Sequence, residues 1–561
     1  MLSAAASDPR RAALGQWYTA APVARLAIAA LGELGAGTSV LDPTCGDGAF
    51  LAAAAAAGAR RLVGVDIDAD AAASARARVP GAEILVRDAL GGPAAALAAR
   101  GGRRGFDVVI GNPPYVRAGA VDPAVKRARA EVLAADWPGF PRDEIDALAR
   151  LADVAASCLL RALRVCAPGG RLALVVSTAL LDADAAAPLW RAVERVARVR
   201  ALITAPGERW FDAAAVNSMI VVADRRGDGD GGARSAPQLI RLTAPTAVAA
   251  EARGLAALAA HADVRAGGED PAAWGAALRA PAAWFAWRAA AGDAVVPLAA
   301  LAEVRRGLTT GANRVFYVKR AEATALGLEP AYLAPVVRSP FNGSPASIAV
   351  APDESPVVAL ALPPDRAVLR RAPRLAAWFA RHAEAAERTS VRRRDPWWSL
   401  PAHPARLFLA KAYGPRFVQR LADVPMLADQ RVYALVPRAG IAVDVLAAAL
   451  NALPTALALE SLGRASMGYG VVEHTVADAL ALPVLDVRRA SARQRTALRA
   501  ALGAMARRPV EHVRLEHARA DRERLDRAAM ALAPGGEMRV EMWRALLASV
   551  ALRDRYLLPA V

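Results

Sequence analysis

Between Phe106 and Val116 the chain reads Phe-Asp-Val-Val-Ile-Gly-Asn-Pro-Pro-Tyr-Val, and this stretch limits the fold most tightly. The apolar run from Phe106 to Ile110 reads as a buried strand. It ends in Asn112-Pro113-Pro114-Tyr115. Each proline fixes its own φ, donates no backbone hydrogen bond and holds the preceding residue extended. The result is a rigid shelf at the carboxyl end of a strand, where open α/β sheets place their ligands. Its groups suit a planar amine. The Asn112 side-chain oxygen and the Pro113 carbonyl can accept from the two N–H bonds while Tyr115 stacks on the ring. Two acceptors placed that way draw the nitrogen towards tetrahedral geometry and free its lone pair for an electrophile.

The upstream sequence supplies a setting for that electrophile. Gly15-Gln16-Trp17-Tyr18-Thr19 precedes an expected helix from about Pro22 to Leu34. The segment from Ser39 to Phe50 reads as a strand, a glycine-bearing turn (Asp42-Pro43-Thr44-Cys45-Gly46-Asp47-Gly48) and a helix start. Glycines there let the backbone approach a ligand, and Asp42 can hold a cationic group. A dinucleotide loop is the competing reading, but its G-x-G-x-x-G pattern is absent. A second strand runs into Asp66-Ile67-Asp68 about twenty residues on, where an acid commonly meets ribose hydroxyls. A third ends at Asp88, placed to accept from an adenine amino group.

Taken together, these motifs resemble, in order, those of the N6-adenine DNA methyltransferases of the gamma group. That resemblance implies S-adenosylmethionine as donor. Asp42, Pro43, Gly46 and Gly48 would line its methionine end, Asp66 and Ile67 its ribose, and Asp88 its adenine. Tyr18 and Thr19 would close the site, with Asn112 bordering both donor and target. One departure is small: proline usually follows that threonine, whereas Ala20 stands here and Pro22 comes later. The expected fold is α/β, a Rossmann-like doubly wound methyltransferase sheet followed by a mixed α/β target recognition domain and a helical tail.

Further along, residues 117–150 read as a loop with short helices and about 146–166 as one helix. Strands follow from Arg171 and Arg200. In the family an aromatic before the final hairpin strand faces the target base opposite the tyrosine, and Phe211 matches it. The segment 224–237, rich in Gly, Asp and Arg, reads as a linker closing the catalytic domain. The expected boundaries are 1–225 (catalytic), 226–289 (connection, with a Trp-rich helix near 274–287), 290–485 (recognition) and 486–561 (tail). Residues 303–317 and 451–484 resemble the two ends of a recognition domain. Candidate DNA contacts are Arg305, Arg306, Thr310, Asn313, Arg392, Arg393, Arg394, Lys411 and Tyr469. Basic and aromatic residues interleave at 392–398 and 411–417, as a DNA-facing surface with phosphate contacts would require.

Charge distribution agrees with that division. The formal charge of +17 is uneven: residues 1–225 hold 26 basic and 23 acidic groups, whereas 226–561 hold 45 and 31. A net +14 on the second part suits a polyanion. Three cysteines, Cys45, Cys158 and Cys166, show neither metal-ligand nor disulfide spacing and suit a reducing cytoplasm. No uncharged apolar run approaches the roughly 18 residues of a membrane span, and no secretory signal is visible.

The expected reaction is therefore methyl transfer from S-adenosylmethionine to the N6 of an adenine flipped out of double-stranded DNA. It would serve restriction-modification or phage defence, with a separate endonuclease as a candidate partner. A fused nuclease is not expected, and the chemistry calls for no metal. Two alternatives stay open: a methyltransferase for RNA or a protein glutamine amide, and a non-catalytic DNA-binding subunit with a vestigial donor site.

Overall fold

The structure, a computed structural model, describes residues 17–102, 104–116, 121–151, 153–182, 186–211, 217–227, 236–338, 347–400, 402–464 and 470–554. The chain divides into two compact units, one running to Arg279 and the other starting at Ala280, with Arg464 grouped with the first.

The first unit is built on a nine-stranded sheet of order β3-β2-β1-β4-β5-β7-β6-β8-β9. Its strands are β1 (Ser39–Asp42), β2 (Arg61–Asp66), β3 (Glu83–Val86), β4 (Phe106–Gly111), β5 (Cys166–Ser177), β6 (Ala197–Thr204), β7 (Ser218–Arg225), β8 (Gln238–Leu242) and β9 (Ala262–Ala266). β3, β2, β1, β4 and β5 are mutually parallel, and β7 runs antiparallel to both β5 and β6. Successive residues of one strand enter opposite cores. Val40, Val108 and Ile110 pack with the helices Ala21–Leu31 and Ala49–Ala56, while Leu41 and Val109 pack with Val154–Val165. A sheet covered on both faces needs such uninterrupted apolar runs. Strand order reverses between β1 and β4, which makes the carboxyl ends of those strands the switch point of the sheet.

Several sequence expectations need correction. The sheet does not stop at 225. β8 and β9 extend it to Ala266, and Trp274 of the helix Pro271–Arg279 lies 5.4 Å from Trp190. Composition marked 224–237 as a linker, but it cannot report that the strands on either side pair in one sheet. Residues 117–150 hold the helices Pro123–Asp136 and Arg142–Leu151, and a separate helix spans Val154–Val165. Asp122 accepts from the Ala124 N–H at 2.7 Å ahead of Pro123 at the first helical position, so the helix start was written in the sequence. The Trp-rich helix is two, Pro271–Arg279 and Ala282–Ala291, separated by Ala280-Pro281.

The second unit carries an eight-stranded mixed sheet whose strands lie in the order Ala302–Arg306, Val432–Pro437, Ala405–Ala410, Arg420–Ala428, Leu333–Val337, Val357–Leu360 and Tyr317–Lys319, with Ala349–Val350 beside Arg420–Ala428. Residues 486–554 are largely helical, as expected, and pack into the core of this unit. Leu498, Leu502, Leu525, Trp543 and Leu546 share one core with the helices Val443–Leu450 and Leu453–Leu462. Buried polar ties reinforce the join. Asp526 accepts from the Leu453 N–H at 2.8 Å and the Trp543 indole at 2.9 Å, and Arg553 pairs with Glu460 at 2.6 Å. Among the described residues no single helix is long and apolar enough to cross a membrane. The bent pair Val443–Leu450 and Leu453–Leu462 passes that test by composition, but its residues lie in this core.

Candidate active site

A cavity of about 490 Å³ opens at the carboxyl ends of the parallel strands of the first unit. Pro43, Thr44 and Gly46 follow β1, Asp66 and Ile67 end β2, Asp88 follows β3, and Asn112 and Pro114 follow β4. Trp17 and Tyr18 border it from the N-terminal segment. One topological device thus gathers residues that are scattered over a hundred positions of sequence.

The carboxylates differ in environment. Asp66 accepts from the Gly46 N–H at 2.7 Å and the Asp68 N–H at 2.9 Å. Burial nevertheless holds its pKa above the ordinary value against those two donors. Asp88 is exposed and accepts from the Leu90 N–H at 2.8 Å. Asp42 is fully buried beneath the cavity and does not line it. Its Oδ1 accepts from the Thr44 N–H at 3.1 Å, and Oδ2 is buried without a partner. Burial raises its pKa well above the usual carboxylate range, and the nearby charges of Asp66 and Asp47 add to the rise. A Cβ at Gly111 would stand 2.6 Å from that same carboxyl, so only glycine lets β4 pass so close to Asp42.

Asn112 is held by the N-terminal segment. Its Nδ2 donates to the Trp17 carbonyl at 3.0 Å, which fixes the amide with Oδ1 on the other side. That oxygen is buried and has no partner. Its backbone carbonyl accepts from the Thr44 hydroxyl at 3.3 Å, tying the shelf to the turn after β1.

Some expected residues sit near the cavity without lining it. Thr19 is buried, and Gly48 starts the helix Ala49–Ala56 at φ +82°, where a Cβ would lie 3.1 Å from Ala75. Pro113, Tyr115 and Phe211 are also absent from the lining. Tyr115 and Phe211 do not flank an open slot; their rings touch edge to face, centroids 5.8 Å apart at 70°. Sequence reasoning passed over Val125, Ala128, Arg129 and Val132, which line the cavity from Pro123–Asp136, and Val154 and Cys158 from the helix Val154–Val165. Their three- and four-residue spacing is that of one helical face. Gly15 and Gln16 of the N-terminal motif lie outside the described residues, as does Tyr469.

In the second unit the expected DNA-contact residues separate into two kinds. Arg394 is tied down: Nη2 donates to the Thr309 and Thr310 carbonyls at 2.6 and 2.7 Å, and the guanidinium lies 5.4 Å from the Phe316 ring. Burial lowers its pKa. The buried Thr310 donates its hydroxyl to the Asn313 side chain, and Arg305 pairs with Glu303 at 2.7 Å. Tyr413 and Phe417, beside Lys411, are buried and stacked 5.6 Å apart, so they are core and not a nucleic-acid platform. Trp398 is likewise buried. By contrast Arg306, Arg314, Arg388, Arg392 and Arg393 form no ion pair among the described residues. Arg314 and Arg388 line an open groove of about 570 Å³ with Asn313, Ser390 and Gln430. Arg306 lines a neighbouring one of about 240 Å³.

Comparison with known proteins agrees with both units. Residues 1–230 match the family model described as N-6 DNA Methylase. Residues 275–513 match the one described as the C-terminal domain of the type II methyltransferase M.Eco57I. Among solved structures, the type IIL restriction-modification enzyme MmeI in complex with DNA aligns over 91% of this chain and 73% of its own, with TM-score 0.57 and 13% identity. That likeness is one of fold. The type IIG restriction endonuclease BpuSI aligns over 95% of this chain at TM-score 0.43 and 13% identity, and this chain spans 64% of its length. No curated protein matches the chain.

Proposed function

We propose that this chain, whose residues 1–230 match the N-6 DNA Methylase model and 275–513 that of the M.Eco57I C-terminal domain, is an N6-adenine DNA methyltransferase of a restriction-modification system and transfers a methyl group from S-adenosylmethionine to adenine N6 at specific sites in double-stranded DNA. The observation that carries the reading is the Asn112 amide. It is clamped through Nδ2 by the Trp17 carbonyl, with an unpaired, buried Oδ1 beside a cavity at the switch point.

The residues present fit the donor. Asp66 and Asp88 are acceptors on successive strand ends, Ile67 and Pro114 offer apolar faces, and Gly46 keeps the turn after β1 free of side chain. When bound, S-adenosylmethionine supplies an electrophilic methyl group. The chain's own residues then orient the target. Asn112 Oδ1 and the Pro113 carbonyl accept from the amino N–H bonds, and Tyr115 and Phe211 meet the extruded ring once their edge-to-face contact opens. Rate comes mainly from proximity and alignment of amine and donor. In this reading residues from 280 onward select the site, and the five unpaired arginines around the turn 306–314 and the segment 388–393 meet the DNA backbone. That MmeI, which shares the fold, was solved with DNA supports a DNA partner. Cytoplasmic residence and a separate endonuclease partner belong to the same proposal.

The test is to incubate the purified chain with S-adenosylmethionine labelled in the methyl group and a randomised duplex library, then hydrolyse the DNA and sequence the labelled products. Label should appear as N6-methyladenine within one sequence context. Label in RNA or protein glutamine but not in DNA overturns the reading.

A further inference from the structure

The open groove of about 570 Å³ in the second unit is lined from three separate stretches of chain: the turn 309–314, Arg388 with Ser390, and Gln430. Their close approach is built into the backbone. A Cβ at Gly311, where φ is +70°, would collide with Ser390 Oγ, and one at Gly307 would collide with the Asp429 carbonyl. The Leu308 N–H donates to the Ala428 carbonyl at 2.7 Å, and Arg394 ties its own segment to the Thr309 and Thr310 carbonyls. Gln430 is the middle residue of a three-residue connection between the strands Arg420–Ala428 and Val432–Pro437. That connection is closed by the Val432 N–H on the Asp429 carbonyl at 2.8 Å and the Arg431 N–H on the Asp429 carboxyl at 3.1 Å. The groove is therefore preformed, ahead of any ligand.

Its chemistry points to a nucleic acid. Arg314 and Arg388 line it without an ion pair among the described residues, and no acidic side chain lines it. Asp429, the acid next to Gln430, is buried. Asn313 has its side-chain oxygen occupied by the Thr310 hydroxyl, so it can only donate. Gln430 differs. It is exposed, and neither end of its amide has a partner among the described residues. A bare phosphate would satisfy the two arginines and leave that amide idle. Adenine uses it fully, because its N7 accepts from the amide nitrogen while its N6 donates to the amide oxygen. Phosphates on either side of the base pair then meet the arginines.

We propose that Gln430 is a specificity-determining residue that reads an adenine edge in the major groove of the DNA, with Arg314 and Arg388 on the flanking phosphates. The inference rests on the reading of the second unit as the part that selects the site. It goes beyond that reading by naming one side chain and the base it prefers.

The test is to methylate a randomised duplex library with the full chain and with Gln430→Ala and Gln430→Glu, sequence the products, and melt all three proteins. The unaltered chain should prefer adenine at one position, on either strand, besides the methylated base. Gln430→Ala should relax that position alone, its preference falling about five- to a hundredfold, the discrimination that one bidentate contact carries. Gln430→Glu should move the preference there to cytosine, whose amino group donates to a carboxylate. A site unchanged in both variants overturns the proposal. So does a uniform loss over all sequences, which makes Gln430 a backbone contact. A lowered melting temperature in both variants overturns it too, because the side chain then serves the fold. If the unaltered chain methylates no DNA, the proposed function fails and this inference with it, whereas a specific site that survives both substitutions removes this inference alone.

Discussion

The Tyr115 and Phe211 rings meet edge to face at 5.8 Å, and the Tyr115 hydroxyl lies 3.5 Å from the Val175 carbonyl. A base stacked between two parallel rings requires about 7 Å between them, two layers of van der Waals contact. The pair therefore has to part before a base can lie between its members.

Tyr115→Ala should slow methyl transfer by one to two orders of magnitude, because stacking on an aromatic is worth about 1–3 kcal/mol per base. Tyr115→Phe should recover most of the rate. Single-turnover rates on a duplex and on the same site with a mismatched target adenine measure this. If Tyr115→Phe is as slow as Tyr115→Ala, the hydroxyl and not the ring face carries the role.

Asn112→Ala should lower the transfer rate at least 10²–10³-fold, the usual cost of removing one preorganised polar group from a reacting centre. Affinity for S-adenosylhomocysteine should fall by less than about tenfold, through the lost tie to Trp17 alone. Asn112→Asp should be as slow as Asn112→Ala, since a carboxylate cannot donate to the Trp17 carbonyl. Rapid quench and titration together give both numbers, and near-normal turnover in either variant removes Asn112 from the reaction.

Asp42 links the site to pH. Its pKa is raised by burial, with Asp66 and Asp47 adding, so the folded state keeps a proton that the unfolded chain releases. Stability from this group is complete below about pH 4, the ordinary aspartate value, and is lost as pH rises towards the folded pKa. Asp42→Asn leaves an oxygen for the Thr44 N–H and removes the ionisation. Hydrogen exchange of β1 and β4 amides should show the unaltered protein losing protection as pH rises above the ordinary aspartate value of about 4, and the variant losing less. An identical loss in both would mean that Asp42 does not titrate between the two states.

The arginines of the second unit should divide by their partners. Replacing Arg306, Arg314, Arg388, Arg392 or Arg393 with alanine should weaken duplex binding, each phosphate contact lowering the slope of log affinity against log salt by about 0.9. Arg394→Ala should act on stability, because it removes the ties to Thr309, Thr310 and Phe316. Salt-dependent binding and thermal melting on the same six variants distinguish the groups. A changed salt slope with unchanged melting for Arg394→Ala reverses its assignment.

Much of the site was legible because strand-end chemistry is local. Asp66, Asp88 and Asn112 each stand where an apolar run stops, and a switch point is bound to bring such ends together. The sheet beyond Arg225 was not legible, since pairing of β8 with β6 depends on residues far apart in sequence. Tyr413 and Phe417 were misread for a related reason: interleaved basic and aromatic residues look alike whether the rings face outwards or, as here, into a core. Arg129 needed the structure outright. Its helix has a recognisable Asp-Pro start, but a sequence does not say which cavity a helical face borders.

The shared core of 443–462 with the C-terminal helices has a consequence for engineering and for inheritance. A new DNA specificity cannot be grafted by exchanging residues 290–485 alone, because the transplant would arrive without the partners of Leu446 and Leu457. Recombination between relatives should succeed at a crossover near Ala280 and fail at one near 485. Target preference in such proteins would then be passed on with the last helix, even though that helix need not touch a base.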